Sequence, residues 1–264
     1  MRDLSQTATF ITGGARGIGR GIALAFAQVG SNVIIGDLLS RPEIEAEAEQ
    51  TVAECQKLGV KATSVQVDVC SEEQLTMAAN SISPDFGALT TVVANAGIIA
   101  SGRVDEMPVN EWQRVIEVNL TGAWLTCRAF TPLLTKQGFG SFVVISSVAA
   151  HRGADGYSAY CAAKSGLLGM TNALSHELAG RNVTINVISP GYLGTDMWFK
   201  AILGGDDNPE ADTKAQFKAV VDGAVPLGRP QTPLDIGEAA VFLASSENTT
   251  GSEIIVDGGR IAGP

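Results

Sequence analysis

The residues whose types and spacing could do chemistry are a tyrosine and a lysine four positions apart, with a serine thirteen positions before the tyrosine. Tyr160 and Lys164 lie in a stretch that predicts a helix over 157–180, which places both side chains on one face. A nearby ammonium group stabilises a phenolate and lowers the pKa of a tyrosine below its free value of about 10. Ser147 follows an apolar run that predicts a strand over 141–146. The spacing therefore indicates a general base that removes a proton from an alcohol near neutral pH.

A glycine-rich turn connects the first predicted strand to an apolar helical stretch. From Gly13 to Gly19 it reads Gly-Gly-Ala-Arg-Gly-Ile-Gly, and such glycines let the backbone approach a pyrophosphate at the start of the helix. Asp37 ends the second predicted strand, 18 residues beyond Gly19, where a carboxylate binds adenosine ribose hydroxyls, repels a 2′-phosphate and so favours NAD. Arg16 argues the other way because it could pair with that phosphate, so NADP stays the less favoured alternative.

The elements that must position these residues alternate along almost the whole chain, short apolar runs with longer helical patterns. This alternation is typical of βαβ units with right-handed crossovers. It predicts one α/β domain over 1–264, with a doubly wound parallel sheet, helices on both faces and strands covered on both sides. The predicted strands span 7–12, 32–37, 63–67, 90–94, 141–146, 184–188 and 253–256, and the predicted helices span 17–29, 42–58, 71–82, 108–135, 157–180 and 233–245.

One segment, 191–230, breaks this alternation. It contains no clear strand and has two short helical stretches separated by a glycine- and aspartate-rich turn at 204–209. Connections of this length inside a compact domain are usually functional or disordered. We therefore predict that 192–225 forms a lid over the substrate.

Composition narrows the class of partner. A net charge of −10 and a pI near 4.7 argue against nucleic-acid and anionic-membrane partners, because the chain has no basic clusters. The glutamates at 43–49 fall at the start of a predicted helix, where acids suit the helix dipole, so we interpret them as a solvated face. The partner expected is a small molecule.

Cysteine and histidine usage argues against a metal site. The four cysteines have no Cys-x-x-Cys spacing and only two histidines are available, so buried free thiols are the default expectation. No apolar run approaches the roughly 18 residues of a membrane span, and the start of the chain has no signal-like segment. These observations predict a cytoplasmic protein in a reducing compartment.

With these residues in sequence order, the chain resembles the short-chain dehydrogenase/reductase family over practically its whole length. The family pattern T-G-x-x-x-G-x-G matches the segment that begins at Thr12, its N-A-G matches 95–97, and its P-G-x-x-x-T matches 190–195. A frequent second asparagine before N-A-G is replaced here by Ala94. The resemblance implies a Rossmann fold of seven parallel strands and hydride transfer. It also implies a homo-oligomer, a tetramer or dimer, that pairs helices 108–135 and 157–180.

The resemblance also implies individual roles. Asn119, Ser147, Tyr160 and Lys164 would form the catalytic set, with Ser147 stabilising an oxyanion and Asn119 holding a water that links Lys164 to solvent. Asp68 would contact the adenine ring. The implied cofactor-binding residues are Gly13, Arg16, Gly17, Ile18, Gly19, Asp37, Asp68, Val69, Asn95, Ala96, Gly97, Tyr160, Lys164, Pro190, Gly191 and Thr195. The substrate-binding candidates, taken from beside the catalytic helix or the start of the lid, are Ser147, His151, Tyr157, Tyr160, Tyr192 and Trp198.

Three functional hypotheses remain open at this point. The first is an NAD-dependent dehydrogenase of small secondary alcohols, polyols or sugars. The second is an NADPH-dependent ketone reductase of the 3-oxoacyl-carrier-protein type, which Arg16 permits and Asp37 disfavours. The third is a non-catalytic dinucleotide-binding regulator, against which the complete set of Ser147, Tyr160 and Lys164 argues.

Overall fold

The protein, described by a computed structural model over residues 1–202 and 213–262, contains a seven-stranded parallel sheet. Its strand order is β3-β2-β1-β4-β5-β6-β7, which reverses between β1 and β4 and so opens a crevice at the carboxyl ends of those strands. The strands are β1 Ala8–Thr12, β2 Asn32–Asp37, β3 Ala62–Gln66, β4 Leu89–Ala94, β5 Gly140–Ile145, β6 Val183–Pro190 and β7 Glu253–Val256.

Helices cover both faces of the sheet, as the alternation predicts. In β1, Phe10 points into one apolar layer and Ile11 into the other, because successive strand side chains alternate. Helices α3, α5 and α6 pack on the Phe10 side, and α1, α2 and α8 on the Ile11 side. The helices are α1 Gly17–Gln28, α2 Pro42–Lys57, α3 Glu72–Ser81, α4 Val109–Ile116, α5 Gly122–Lys136, α6 Ser158–Ala179, α7 Thr213–Ala224 and α8 Pro233–Ser245.

Two features of the predicted elements are wrong. The single helix expected over 108–135 is interrupted by a π-helical segment, Glu117–Thr121, which separates α4 from α5. The strands β3 and β7 are partly exposed instead of covered on both faces, because each lies at an edge of the sheet. The ends of most other strands and helices differ from the predicted ends by one or two residues.

The expectation of buried thiols holds for half of the cysteines. All four are free, but only Cys55 and Cys127 are buried, whereas Cys70 and Cys161 are partly exposed. Over the two described ranges, no helix is long and apolar enough to cross a membrane.

The segment predicted to form a lid has its own small apolar cluster. Phe217 on α7 packs with Trp198 and Phe199, whose π-helical segment is Met197–Ile202. An isolated β-bridge joins Leu193, near the start of 191–230, to Gln231, just beyond the end of that range. The turn predicted at 204–209, and with it the middle of the predicted lid, lies outside the described residues.

Candidate active site

The carboxyl end of β5 and the first turns of α6 bring Ser147, Tyr160 and Lys164 together. The Lys164 Nζ lies 5.6 Å from the centroid of the Tyr160 ring and donates a hydrogen bond of 2.8 Å to the carbonyl of Ile145, the last residue of β5. A second hydrogen bond joins strand to helix, from the Ser146 hydroxyl to the Lys164 carbonyl at 2.9 Å. The side chains of Ser147 and Tyr160 hydrogen-bond to each other.

Burial, more than mutual charge, sets the proton affinities in this cluster. It raises the pKa of Tyr160 to about 12, although the hydrogen bond with Ser147 acts in the opposite direction. Burial also lowers the pKa of Lys164, which is 4% exposed, to about 8. For the polypeptide alone, the pKa of Tyr160 is therefore raised and not lowered as expected, because burial of the phenol is its largest cause; the Lys164 ammonium is bound to the Ile145 carbonyl.

Asn119 is buried at the centre of the π-helical segment. Its amide nitrogen donates to the carbonyls of Val115 (2.8 Å) and Ile98 (2.9 Å), and its oxygen accepts from the Ile98 N–H (3.2 Å). A side chain on Gly97 would meet the Asn119 Oδ1 at 2.7 Å and would lie 3.6 Å from the Lys164 Nζ. Gly97 therefore packs closely against Asn119, and any side chain there would displace the asparagine.

The glycine turn is held by the segment that follows β4. Asn95 donates from its amide nitrogen to the carbonyls of Thr12 (3.0 Å) and Gly13 (2.9 Å), and Gly13 has a φ of +63°, which favours glycine. The backbone N–H groups of Asn95 and Ala96 donate to the Thr12 hydroxyl. At Gly19 a Cβ atom would lie 2.0 Å from the Gly13 carbonyl oxygen. The turn thus needs glycine at both positions.

This turn fits a dinucleotide. Helix α1 begins after Arg16 with no side-chain cap on its free N–H groups, which leaves them to bind an anion. Ile18 packs into the α1 layer of the core, and a Cβ on Gly17 would lie 3.9 Å from the Thr195 side chain. The first and last cofactor motifs of the sequence, the glycine turn and Thr195, therefore meet at one place.

Asp37 ends β2 beside the turn. Its carboxylate accepts hydrogen bonds from the backbone N–H groups of Ala15 (3.0 Å) and Leu38 (2.9 Å). Arg16, by contrast, extends between two other carboxylates, Glu47 at 3.5 Å and Asp196 at 3.8 Å. The arginine that could have favoured a 2′-phosphate thus already has two acidic partners.

The remaining cofactor candidates also lie at the carboxyl edge. Asp68 accepts from the Cys70 N–H at 2.9 Å, and Val69 is buried against α5. Pro190 ends β6, and a Cβ on Gly191 would lie 2.4 Å from the Gln231 side chain. Asp68 and Val69 follow β3, on one side of the crevice, and Pro190 and Gly191 lie at the end of β6, on its other side.

The predicted substrate residues divide into two groups. Tyr192 and Trp198 contact each other edge to face, with ring centroids 5.0 Å apart, and belong to the aromatic cluster of the predicted lid. Tyr157 immediately precedes α6 and is half-buried. His151 instead hydrogen-bonds to Glu253 at 2.7 Å, so that one of its ring nitrogens is already engaged. A cavity of about 270 Å³ lies between 102–105 and 154–158, next to Tyr157.

The sequence analysis assigned no role to three residues that matter in this geometry. The Thr12 hydroxyl accepts the two backbone N–H groups that fix the glycine turn, and Glu253 binds His151. Arg260 stacks on Tyr192. Thr12 belongs to the family pattern, so the sequence could have indicated its role. No motif in the sequence connects Glu253 with His151 or Arg260 with Tyr192, because these pairs are far apart in the chain.

Comparisons with known proteins agree with this fold and site. A family model described as enoyl-(acyl carrier protein) reductase matches residues 13–260. The 3-oxoacyl-(acyl-carrier-protein) reductase FabG of Chlamydia muridarum is 36% identical over 258 residues, covering 97% of this chain and 98% of that protein. A short-chain type dehydrogenase/reductase from Mycobacterium marinum is 29% identical with a TM-score of 0.86, covering 99% and 98%. NAD⁺-bound xylitol dehydrogenase is 27% identical with a TM-score of 0.87, covering 98% and 100%.

The seven-stranded parallel sheet and this site define a Rossmann-like oxidoreductase that uses a nicotinamide dinucleotide. More particularly, the chain belongs to the short-chain dehydrogenase/reductase family.

Proposed function

We propose that this protein is an NAD-dependent dehydrogenase that acts on small secondary alcohols, polyols or sugars. The observation that carries the proposal is the grouping of Ser147, Tyr160 and Lys164 at the carboxyl edge of the sheet. The glycine turn that precedes α1 lies at the same edge, and Asp37 accepts the N–H of its residue Ala15. A proton-transfer group and a dinucleotide cradle thus share one crevice.

In the oxidation direction, the substrate hydroxyl hydrogen-bonds to Ser147 and Tyr160, and Tyr160 takes its proton as the hydride leaves the carbinol carbon. An oxidised dinucleotide held by the glycine turn and Asp37 would supply the hydride acceptor and a positive charge. In reduction Tyr160 donates the proton, and a pKa of about 12 keeps it protonated at neutral pH. Ser147 stabilises the developing oxyanion, a contribution of about 2.7–4 kcal/mol for donors of this kind.

Lys164 and Asn119 act on the proton rather than on the hydride. With a pKa near 8, the Lys164 ammonium is charged at neutral pH and favours the phenolate of Tyr160 when the cofactor's charge adds to it. Asn119 and Lys164 both lie close to Gly97, and a water held by Asn119 would pass the proton from Lys164 towards solvent.

NAD is the proposed cofactor because the Asp37 carboxylate is oriented by two backbone N–H groups at the ribose end of the crevice. A 2′-phosphate there would be repelled, and Arg16 is drawn towards Glu47 and Asp196. The second candidate, an NADPH-dependent reductase of the 3-oxoacyl-carrier-protein type, is supported by the 36% identity to FabG.

The segment 192–225 is proposed as the substrate lid. Its described parts place Tyr192 and Trp198 at the end of β6, against Phe217 of α7. Bulky aromatic side chains at this position provide an apolar cover for a small ligand.

The test is a panel of secondary alcohols, polyols, sugars and 3-oxoacyl thioesters, assayed with NAD(H) and NADP(H) by nicotinamide absorbance. Oxidation of an alcohol with NAD supports the first function, and NADPH-dependent thioester reduction supports the second. In Tyr160→Phe we expect kcat to fall at least about 10²-fold while the dissociation constant for NAD stays within about twofold. Equal turnover by this variant would refute the proposed role of Tyr160. No hydride transfer by the wild type with any compound would refute the proposed function and leave the regulator hypothesis.

A further inference from the structure

Arg152 and Arg260 contact each other beside Tyr192, which belongs to the aromatic cluster of the predicted lid. The Arg152 Nη1 donates to the carbonyl oxygen of Arg260 at 3.4 Å, and the Arg260 guanidinium carbon lies 4.1 Å from the centroid of the Tyr192 ring. Arg152 follows the short turn after Ser147, and it is tied to that turn by its N–H bond to the Val148 carbonyl. The pair is therefore connected to the strand end that carries the catalytic serine.

Sheet topology places the pair at the substrate end of the crevice. Strands β5, β6 and β7 are adjacent and parallel, so their carboxyl ends lie at one edge. Ser147 follows β5, Tyr192 follows β6 and Arg260 follows β7. Because β1 and β2 carry the glycine turn and Asp37, these residues would hold the cofactor's adenosine half on the other side of the crevice.

The charge of this pair is not compensated within the part of the chain that the structure describes. The Nε of Arg260 is buried there without a hydrogen-bond partner, and neither arginine has a carboxylate oxygen within the 4.0 Å of an ion pair. The acidic residues near them in sequence are otherwise engaged: Glu253 binds His151 and Ser189, Asp257 accepts the N–H groups of residues 259 and 261, and Asp155 lies 4.0 Å from Arg103. Within the described residues, the Arg260 guanidinium therefore has a buried nitrogen that no acidic side chain pairs with, and an anion could bind there.

We propose that Arg260, with Arg152 beside it, binds a carboxylate of the substrate, so that the enzyme acts on hydroxycarboxylates and the corresponding ketocarboxylates. The inference rests on the proposed dehydrogenase function and specifies its substrate class. A planar guanidinium matches the two oxygens of a carboxylate, and stacking on Tyr192 fixes its plane. The carboxylate is unchanged in the reaction: the hydride leaves the carbinol carbon, the hydroxyl proton goes to Tyr160, and a ketone forms.

The kinetic test compares 3- and 4-hydroxycarboxylates with their methyl esters, which lack the charge of the group that Arg260 binds and add one methyl group. In Arg260→Met we expect kcat/KM for the acid to fall about 10- to 150-fold, mostly through KM, and kcat/KM for the ester to stay within about threefold. Arg260→Lys keeps the positive charge but lacks the planar guanidinium that binds both carboxylate oxygens, so its kcat/KM for the acid should lie between those of Arg260→Met and the wild type. Arg181→Met, which removes an exposed arginine just beyond the far end of α6, is the matched control and should change neither substrate.

Equal losses for acid and ester in Arg260→Met would assign the arginine a structural role and overturn the inference, as would a wild-type preference for the ester. Calorimetry with butyrate and butyramide, neither of which can react, tests binding independently of turnover. The wild type should bind butyrate more tightly than butyramide, and Arg260→Met should lose that difference. Butyrate binding without oxidation of any alcohol would support the anion site and refute the proposed function. Ester oxidation without butyrate binding would support the proposed function and refute the anion site.

Discussion

Lys164 has its ammonium group enclosed by protein and bound to the Ile145 carbonyl, so its charge is less well solvated than in water. The same enclosure raises the pKa of Tyr160, so the neutral phenol and the more weakly basic amine both follow from burial. Arg16 differs from Lys164 because its side chain is half exposed and its guanidinium forms ion pairs with two carboxylates, those of Glu47 and Asp196. At the scale of residues, the surroundings of each group decide its chemistry.

The first prediction concerns the buried lysine. Below pH 8, Lys164 is protonated in both the folded and the unfolded protein, and burial of its charge destabilises the folded state in full. Between pH 8 and 10.5 the folded protein releases this proton while the unfolded protein keeps it, so the destabilisation of the folded state decreases. The difference in unfolding free energy between Lys164→Met and the wild type should therefore shift by about 2–3 kcal/mol in favour of the wild type over this interval. Urea unfolding from pH 7 to 10.5 measures it, and a difference that stays constant with pH would contradict the burial argument.

The second prediction concerns cofactor choice at Asp37. Asp37→Ser removes the charge and keeps a hydroxyl that can accept the Ala15 N–H. The ratio of kcat/KM with NADP to that with NAD should rise at least about tenfold, since a carboxylate no longer opposes a 2′-phosphate. Asp85→Ser, the same change in an exposed residue after α3, is the control and should leave the ratio unchanged. An unaltered preference in Asp37→Ser would remove this residue from the cofactor site.

At the scale of elements, the site is made where strands end and helices begin. The carboxyl end of β4 fixes the turn after β1 through Asn95 and the Thr12 hydroxyl, and the end of β5 is bonded to α6 through Lys164. The π-helical segment turns Asn119 towards the backbone of Ile98. Each junction is therefore held by hydrogen bonds from a different element, which keeps cofactor and catalytic groups in fixed relation.

The third prediction tests the junction at the glycine turn. In Gly19→Ala the added Cβ would lie 2.0 Å from the Gly13 carbonyl oxygen, so the turn has to move away from the geometry that suits a pyrophosphate. We expect NAD to bind at least about tenfold more weakly by calorimetry, with a lower melting temperature. Gly180→Ala, at the open position where α6 ends and with a φ of −65°, is the control and should keep the NAD affinity of the wild type. Unchanged affinity in Gly19→Ala would mean that the turn does not hold the dinucleotide.

At the scale of the whole molecule, the described surface carries large apolar side chains on the helices expected to pair with another copy. Trp112 on α4 is 38% exposed and Trp124 on α5 is 41% exposed, and the Arg128 guanidinium lies over the Trp124 ring. Exposed aromatic groups of this size are typical of protein interfaces. Association of chains through α4, α5 and α6 stays a prediction.

The fourth prediction tests that association. Sedimentation velocity of the wild type should give a dimer or tetramer, and Trp124→Glu should shift the population towards smaller species because it would bury a charge at the interface. Met77→Glu, a comparable change on α3 where the side chain is 63% exposed, should leave the distribution unchanged. A monomeric wild type, or an unaltered oligomer in Trp124→Glu, would contradict the predicted surface.

The sequence by itself determined the class of fold and the positions of most chemistry-bearing residues. Apolar runs and helical patterns are local signals, and once they predict a parallel sheet, the carboxyl ends of its strands must share an edge. Asp37, Ser147 and the glycine turn each lie at the end of a predicted strand, and for this reason they share one edge of the sheet.

Only the tertiary structure decided the proton affinities and the partners of the charged groups. Burial of Lys164, the carboxylates around Arg16 and the stacking of Arg260 on Tyr192 arise between elements far apart in the chain. Spacing along a sequence carries no information on such contacts, because solvation and charge pairing depend on what packs around a group in three dimensions. The π-helical turn at Asn119 was hidden for the same reason: its register is set by the hydrogen bonds that the side chain makes to Ile98.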